Sequence, residues 1–439
     1  MKAIYILTVF VLALSGKAHS QWQEIGSYTG GGMTSMKVNT TGDLFFTTAS
    51  YNYPSGQSAG IYRILNGTFL TTIINPSSSF MYNARTIETS GYRRIYASCW
   101  VNPSTENEGL YLSNNNGNSW TRTYDAGASN NIFSIFVPDT LSGMVFAGTR
   151  NGVIKSTNSG MNFTQVNAEL PANSWVYDID KIGVNLVLAT SNGVYKSSND
   201  GSNWLKVPGL TLLDTPKTLC VYTENGSDHK LSVGTQKGEI LHSHGDITGL
   251  SVGISFEVSV IIAQMFVPNE ALLSAFPMNL NPLGIGLYRS TDYGQSWIDF
   301  GQGLTGEYRI STIAGKTSGN TVTLYAGSFN GVRLYERTYI VGVNNLSTEI
   351  PDEFSLSQNY PNPFNPSTRI RFEVKIKADI NIKVYDSNGK EVAEIVNELL
   401  TPGSYETEFN ASHLSSGMYY YQFFADGNFI ESRKMTMVK

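Results

Sequence analysis

A short motif recurs every 41 to 49 residues through most of the 439-residue chain, and this period limits the folds that the chain can adopt. Each copy opens with a glycine that is followed by a short run with β-type alternation. Two further strand-like runs precede the glycine and another follows the motif, so each repeat predicts four short strands. The opening glycines of the seven copies are Gly60, Gly109, Gly152, Gly193, Gly238, Gly286 and Gly331.

Four strands in a repeat of roughly 40–50 residues are typical of a β-propeller blade. The seventh copy lacks the tryptophan strand that ends the better copies, whereas Trp22 stands in QWQEIG, upstream of the first copy. Pairing the strand at Trp22 with the last repeat would close the ring and leave no open sheet edge. We therefore predict an all-β fold with a seven-bladed propeller at residues 21–340.

Four copies carry the complete pattern Ser-x-Asn/Asp-x-Gly-x-x-aromatic, as in GVYKSSNDGSNW. This pattern resembles the Asp-box (BNR repeat) of sialidase-like, sortilin-like and photosystem-assembly-factor-like propellers. We expect the Asn or Asp to bond amides of its own turn, the glycine to adopt a positive φ, and the aromatic residue to pack between blades. We interpret these residues as fold determinants; they are Ser113, Asn115, Gly117, Trp120, Ser156, Asn158, Gly160, Phe163, Ser197, Asn199, Gly201, Trp204, Ser290, Asp292, Gly294 and Trp297.

Residues 1–20 have the pattern of a secretory signal peptide. Lys2 precedes an apolar run from Ile4 to Leu14, and Ala18-His19-Ser20 forms a small-x-small cleavage site. The apolar run is shorter than the ~20 residues that a bilayer-spanning helix needs. No later stretch is long and apolar enough, so we expect no transmembrane segment after cleavage.

Charge and cysteine content exclude several classes of function. A net charge of −5, from 30 basic and 35 acidic residues, gives no basic footprint for a nucleic-acid partner. Cys99 and Cys220 fall in different predicted blades, and we interpret both as buried thiols. Three of the four complete turns have Asn at the position where calcium would favour Asp, so we predict no metal and no cofactor.

The end of the chain predicts a second domain. Residues 341–354 are polar and predict a linker, and three prolines and several alternating runs at 355–439 predict a small Ig-like β-sandwich. NYPNPFNPST, KVYDSNGKEV, GSYETEFNASHLSSGMYYYQF and ESRKMTMVK resemble a type IX secretion system type A C-terminal sorting domain, as found in Bacteroidota-like proteins. Flagellar hook-capping proteins have related sandwiches, but the signal peptide favours sorting. The resemblance implies the outer-membrane translocon as a partner, and an extracellular or cell-surface location reached through the periplasm.

The topology of a propeller blade predicts which face holds a ligand. Loops 2–3 and the connections between blades lie on the face opposite the Ser-x-Asn-x-Gly turns. Long loops on that face, at 51–59, 101–108 and 276–285, predict an aromatic rim for an unknown extracellular glycan or protein. The candidate ligand-binding residues are Tyr51, Tyr53, Trp100, Phe276, Arg85 and Arg309.

The alternative function is that of a glycoside hydrolase. A sialidase needs an arginine triad, whereas the predicted inner strands supply Arg85 and Arg309, and sialidases have six blades. A xyloglucanase-like enzyme needs two facing carboxylates. Asp178 and Asp180 are two residues apart and share one strand face, so a partner such as Glu88 or Glu257 must come from another blade.

We predict a secreted or cell-surface binding or adhesion protein. A polysaccharide hydrolase with Asp178 and Asp180 as catalytic candidates is the alternative. A scaffold for assembly of an envelope complex is a third hypothesis, which rests on fold resemblance alone.

Overall fold

A computed structural model describes most of the chain from Trp22 to Val438. The described residues are 22–27, 32–49, 60–65, 68–70, 83–91, 93–100, 108–127, 130–138, 142–209, 214–224, 228–244, 247, 249–255, 261–267, 270–275, 286–290, 298–301, 303–304, 310–318, 321–328, 333–340, 343–347, 349–411 and 414–438.

All regular elements of the described residues are strands, as expected for short alternating runs separated by Gly-rich turns. The strands of residues 22–340 are β1 (Gln23–Ser27), β2 (Gly32–Val38), β3 (Leu44–Ala49), β4 (Gly60–Leu65), β5 (Thr68–Leu70), β6 (Asn83–Ser90), β7 (Arg94–Trp100), β8 (Gly109–Ser113), β9 (Thr121–Asp125), β10 (Ile132–Phe136), β11 (Val145–Thr149), β12 (Gly152–Ser156), β13 (Thr164–Gln165), β14 (Val176–Ile182), β15 (Asn185–Thr190), β16 (Gly193–Ser197), β17 (Leu205–Lys206), β18 (Pro216–Glu224), β19 (Asp228–Thr235), β20 (Glu239–His244), β21 (Gly249–Ser255), β22 (Ile261–Val267), β23 (Glu270–Ala275), β24 (Gly286–Ser290), β25 (Ile298–Asp299), β26 (Ile310–Ser318), β27 (Thr321–Ser328) and β28 (Arg333–Ile340).

These strands form antiparallel groups of four. In chain order the groups are β2–β5, β6–β9, β10–β13, β14–β17, β18–β21, β22–β25 and β26–β28 with β1. The first two groups share one sheet through the pairing of Ala49 with Asn83. In the last group, Gln23 and Glu24 of β1 pair with Glu336 and Tyr335 of β28, so the N-terminal strand completes the C-terminal repeat, as we expected from Trp22.

Apolar cores lie between consecutive groups. Phe146 of the third group packs with Tyr195 and Trp204 of the fourth. A core of the same kind joins the second group to the third, and another joins the fourth group to the fifth. Phe46 of the first group lies in one core with Tyr325 of the last. Sheets that pack face to face in succession, the first against the last, are the architecture of a β-propeller.

The Ser-x-Asn-x-Gly turns are held by their own hydrogen bonds. The Ser156 hydroxyl accepts the amide of Gly160 at 2.9 Å and donates to Asn158 Oδ1, which accepts the amide of Asn162 at 3.0 Å. The same set of bonds recurs in the turns that begin at Ser113 and Ser197. These polar groups are therefore used within the turn itself.

The C-terminal region is a second compact unit with two antiparallel sheets around one core. The sheets have the orders β29-β34-β31-β30 and β33-β32-β35-β36. Their strands are β29 (Val343–Ser347), β30 (Ser355–Leu356), β31 (Ser367–Val374), β32 (Ala378–Asp386), β33 (Glu391–Leu400), β34 (Gly403–Asn410), β35 (Gly417–Ala425) and β36 (Asn428–Met437).

The segment for which we expected a linker contains a strand of this sandwich. Val343 and Asn344 of β29 pair with Thr407 and Glu406 of β34. We predicted a linker because the segment is polar. A strand can be polar here because β29 lies at the edge of its sheet, where one side of the strand is open to water.

The proline-rich segment before β31 is bound to the last strand of the chain. Phe364 is buried, donates its amide to Thr436 O at 3.0 Å and accepts the amide of Val438 at 3.0 Å. Asn362 Oδ1 accepts the amide of Thr436 at 2.9 Å. The buried Asn359 donates to Thr368 Oγ1 at 2.9 Å. These polar contacts explain how a segment without regular pairing holds one conformation.

Candidate functional site

The first strands of consecutive groups contact one another, and they bring the most informative polar residues together. Contacts join β2 to β6, β6 to β10, β10 to β14, β14 to β18 and β18 to β22. Because the first strand of each blade is the innermost one in a propeller, these strands surround the axis.

Four charged side chains of these inner strands share one electrostatic environment. Lys37 Nζ on β2 lies 2.9 Å from Glu88 Oε2 on β6. The Glu88 carboxylate raises the pKa of Lys37, and Asp178 and Asp180 of β14 add to this effect. The Lys37 side chain is 47% exposed, so its ion pair with Glu88 contributes little to stability.

Asp178 and Asp180 join β14 to the next inner strand. Asp178 Oδ2 accepts the amide of Leu219 at 2.8 Å, and Asp180 Oδ2 accepts the amide of Val221 at 3.2 Å. The Oδ1 atom of each accepts the amide of the following residue, at 2.9 Å for Ile179 and 2.7 Å for Lys181. Each of the four carboxyl oxygens thus accepts one main-chain amide.

Burial raises the pKa of Asp178 to about 7, against the hydrogen bond from Leu219 that lowers it, and burial also raises the pKa of Asp180. A general acid in a glycosidase needs a raised pKa of this kind. It must also turn toward the scissile bond, whereas the amides of Ile179 and Leu219 hold both oxygens of Asp178 against the strands. The geometry therefore fits a contact between strands better than proton transfer.

Several inner strands have a β-bulge near their start, which leaves one residue of the strand without a partner in the hydrogen-bond ladder. The register shifts across Arg85 in β6, Phe133 in β10, Tyr177 in β14 and Lys217 in β18. A bulge leaves one residue out of the ladder and re-aims its side chain. Four consecutive groups thus place a cation, two aromatic residues and a second cation at equivalent positions.

The side chains at three of these bulges form one half-exposed patch with two neighbours. Phe133 stacks on Trp175 with ring centroids 5.7 Å apart, and Tyr177 lies 5.6 Å from Phe133. The Arg150 guanidinium lies 4.9 Å from the Trp175 centroid, and Lys217 Nζ lies 3.5 Å from that of Tyr177. We call Phe133, Trp175, Tyr177, Arg150 and Lys217 the aromatic–cation patch.

The patch lies on the face that blade topology predicts for a ligand. Arg150 follows β11 in a 2–3 loop, and its amide donates to Asn131 O at 2.9 Å. Trp175 ends a connection between groups and accepts the amide of Ser191, which lies in the next 2–3 loop. The Ser-x-Asn-x-Gly turns lie at the other ends of these strands.

Four of the six residues predicted for the ligand rim lie outside the part of the chain that the structure describes. Tyr51, Tyr53, Phe276 and Arg309 lie outside the described residues, as do Asp292, Gly294 and Trp297 of the fourth turn. Only the backbone is described for Arg85 on β6 and Trp100 on β7. Ser290 is buried at the end of β24.

Sequence reasoning missed the aromatic–cation patch, although the sequence contains a signal for it. When the first strands are aligned at the residue after the bulge, Ser134, Asp178 and Thr218 fall in one column. The column before it holds Phe133, Tyr177 and Lys217. Aromatic and cationic residues at this position indicate a surface, because side chains of a strand alternate between two faces and the neighbouring positions belong to the core.

Other candidate chemistry is limited. Cys99 and Cys220 are buried thiols on β7 and β18, and burial raises the pKa of both. Within the described ranges, no group of three or more His, Cys, Asp or Glu residues is placed to hold a metal ion. In the same ranges, no helix has the length and apolar character to span a bilayer.

Comparison with known proteins decides the role of the second unit. Residues 358–438 match the family described as the secretion system C-terminal sorting domain. The C-terminal sandwich is a sorting domain. Such domains mark proteins that type IX secretion exports to the cell surface or the extracellular space, and this chain is one of those exported proteins.

Comparison with solved structures supports the fold of the larger region. The chain is similar to YCF48 bound to D1 peptide, with a TM-score of 0.51, 15% identity and coverage of 76% of this chain and 99% of that chain. It is similar to the extracellular domain of a putative one component system from B. thetaiotaomicron, with a TM-score of 0.52, 14% identity and coverage of 96% and 59%. No curated protein matches the chain.

A GH74 xyloglucanase from Xanthomonas campestris is also similar, with a TM-score of 0.52, 14% identity and coverage of 80% of this chain and 59% of that chain. The chain thus spans 59% of the length of the xyloglucanase and of the B. thetaiotaomicron domain. At these identities the likeness shows the fold alone, which is that of a β-propeller.

Proposed function

We propose that the chain is an exported seven-bladed β-propeller that binds an extracellular glycan or protein. In this proposal a signal peptide at 1–20 starts export, the propeller occupies 21–340, and a connecting segment at 341–354 leads to the sorting domain at 355–439. The aromatic–cation patch carries the proposal. Its rings are half-exposed, whereas apolar side chains of the described strands are mostly buried between groups.

The arrangement of the carboxylates supports binding over catalysis. Hydrolysis of a glycosidic bond needs one carboxyl to protonate the leaving oxygen and a second to act on the other side of the bond. The oxygens of Asp178 and Asp180 accept main-chain amides, and Glu88 pairs with Lys37. Each of these three carboxyls is therefore held by a strand contact or an ion pair.

A polysaccharide hydrolase is the second candidate. The pKa of Asp178, about 7, favours it because this carboxyl holds a proton near neutral pH. The fold does not choose between the two functions, because one similar structure is a xyloglucanase and another has a bound peptide.

Binding and hydrolysis are separated by a glycan and peptide array combined with a reducing-sugar assay on the purified protein. We expect saturable binding to at least one array ligand and no release of sugar from it. Trp175→Ala should weaken this binding by about tenfold or more, the loss typical of an aromatic anchor. Release of sugar that Asp178→Ala abolishes would establish the hydrolase instead.

A further inference from the structure

We propose that the aromatic–cation patch binds an anionic glycan, in which ring-attached carboxylates pair with Arg150 or Lys217 while the sugars contact the exposed parts of the aromatic side chains. This inference rests on the proposed binding function and adds the chemical class of the ligand. A chain of uronic acids has the required combination of apolar ring faces and regularly spaced carboxylates.

The geometry of the patch places apolar ring contacts beside two cations. Phe133 and Tyr177 lie on neighbouring inner strands and Trp175 lies in the connection just before β14, and the ring centroids lie 5.6 to 6.2 Å from one another. Aromatic rings at such spacing pack against one another, and the half-exposed parts of this ring cluster offer apolar contact to a sugar unit. Phe133 and Tyr177 lie at β-bulges of paired strands, so the strand pairing fixes the positions of both rings.

The cations define the charge of the ligand. The Arg150 side chain is exposed, and its guanidinium lies over the Trp175 ring. Lys217 approaches the Tyr177 ring at 3.5 Å. A carboxylate that pairs with either cation therefore lies beside a ring, within the width of one sugar unit. Guanidinium groups bind carboxylates with two parallel hydrogen bonds, which adds orientation to attraction.

The positive charge of the patch is local. The chain has a net charge of −5, and the described axis residues include the carboxyl groups of Glu88, Asp178 and Asp180 near the cation Lys37. The net negative charge of the protein would thus repel a polyanion. Binding of a uronate chain must come from Arg150 and Lys217, and it should weaken with added salt.

The neighbouring strand edges favour a glycan over an extended acidic peptide. A peptide strand would need free main-chain donors at the edge of an inner strand. The amides of Leu219 and Val221, on the strand that carries Lys217, already donate to Asp178 and Asp180. Side-chain recognition of a sugar does not need those donors.

Oligogalacturonate and its fully methyl-esterified form provide a matched pair of probes, because esterification removes the charge and keeps the sugar. We expect the purified protein to bind oligogalacturonate at least tenfold more tightly than the ester in calorimetric titration. Arg150→Gln and Lys217→Gln should each weaken binding of the acid by about tenfold, the loss expected for a charge-assisted hydrogen bond. Trp175→Ala should weaken binding of both probes.

Lys155→Gln is the matched control. Lys155 also lies over a ring, 5.5 Å from the Phe146 centroid, and it is next to a Ser-x-Asn-x-Gly turn on the opposite face. Its replacement removes the same charge and should leave binding unchanged. Equal affinity for acid and ester, equal binding of oligoglutamate, or no binding of oligogalacturonate overturns the inference. Binding of a neutral glycan or a protein on the array would then leave the proposed function standing, whereas an empty array contradicts both.

Discussion

At the scale of single residues, the same contact between inner strands is made by chemically different side chains. Ser35 Oγ on β2 accepts the amide of Ile87 at 3.4 Å, just as Asp178 Oδ2 on β14 accepts the amide of Leu219. Ser35 and Asp178 each follow the bulge of their strand. The equivalence indicates that Asp178 acts as an acceptor for the next blade, a task for which a hydroxyl is sufficient.

The raised pKa of Asp178 predicts a pH effect on stability. The folded chain holds this proton up to about pH 7, while the unfolded chain releases it near 3.8. The contribution of the group to stability is therefore present at low pH and lost as pH rises through 7. Relative to Asp178→Asn, the free energy of unfolding of the wild type should fall by ~2 kcal/mol between pH 5 and pH 8.

Urea unfolding of both proteins at several pH values measures this difference. The variant also lacks one acceptor, so a constant offset between the two proteins is expected. An offset that stays the same from pH 5 to pH 8 would show that the carboxyl of Asp178 has an ordinary pKa.

At the scale of elements, two irregular features of the repeat have different tasks. The bulges of the inner strands set which side chains leave the ladder, and the Ser-x-Asn-x-Gly turns bring neighbouring sheets close. In the turn at Gly160, φ is 82°, and a Cβ atom there would lie 2.5 Å from Cε1 of Tyr96 in the preceding group. The glycine is needed for its conformation and also for its size.

Gly160→Ala tests this double requirement, and Gly183→Ala is its matched control. Gly183 also has a positive φ, 57°, but a Cβ atom there would have no neighbour within 4 Å. We expect Gly183→Ala to cost about 1 kcal/mol of backbone strain. Gly160→Ala should lower the free energy of unfolding by a further ~1–3 kcal/mol, because the Tyr96 ring must move to make room for the methyl group. Equal losses in urea unfolding would show that the turn tolerates a side chain.

At the scale of the whole molecule, the repeats form a propeller region and the C-terminal sandwich directs export. The pairing of β1 with β28 joins the two ends of the propeller region, so its first and last strands lie in one sheet. The sorting domain has a core of its own, which includes Phe364, Phe372 and Tyr421. The sorting domain can therefore be deleted without removing core residues of the propeller region.

Deletion of 355–439 should trap the propeller in the periplasm, because the sorting domain marks the chain for type IX secretion. Cell fractionation and protease treatment of intact cells would locate the protein. Lys155→Gln in the full chain is the control and should still reach the surface. Surface delivery of the truncated chain would contradict the sorting role.

The sequence predicted the parts of the fold that depend on local, repeated patterns. The period of the opening glycines predicted sheets of four strands, and Trp22 predicted the pairing of β1 with β28. The site was less predictable. The aromatic rim stays a prediction, because its long loops lie almost entirely outside the described residues, and the described patch includes Phe133 and Tyr177 of the inner strands, where β-bulges interrupt the alternation.

The sequence by itself determined the repeat, the turn chemistry and the sorting domain, since each depends on residues close together in the chain. Only the tertiary structure decided which repeats share an inter-strand bond, such as that from Asp178 to Leu219, and which side chains form the patch. The physical reason is the bulge. Each bulge shifts the strand register by one residue, so that Phe133 and Tyr177 have no partner in the hydrogen-bond ladder. In a strand without a bulge, each of these residues would have paired with the neighbouring strand.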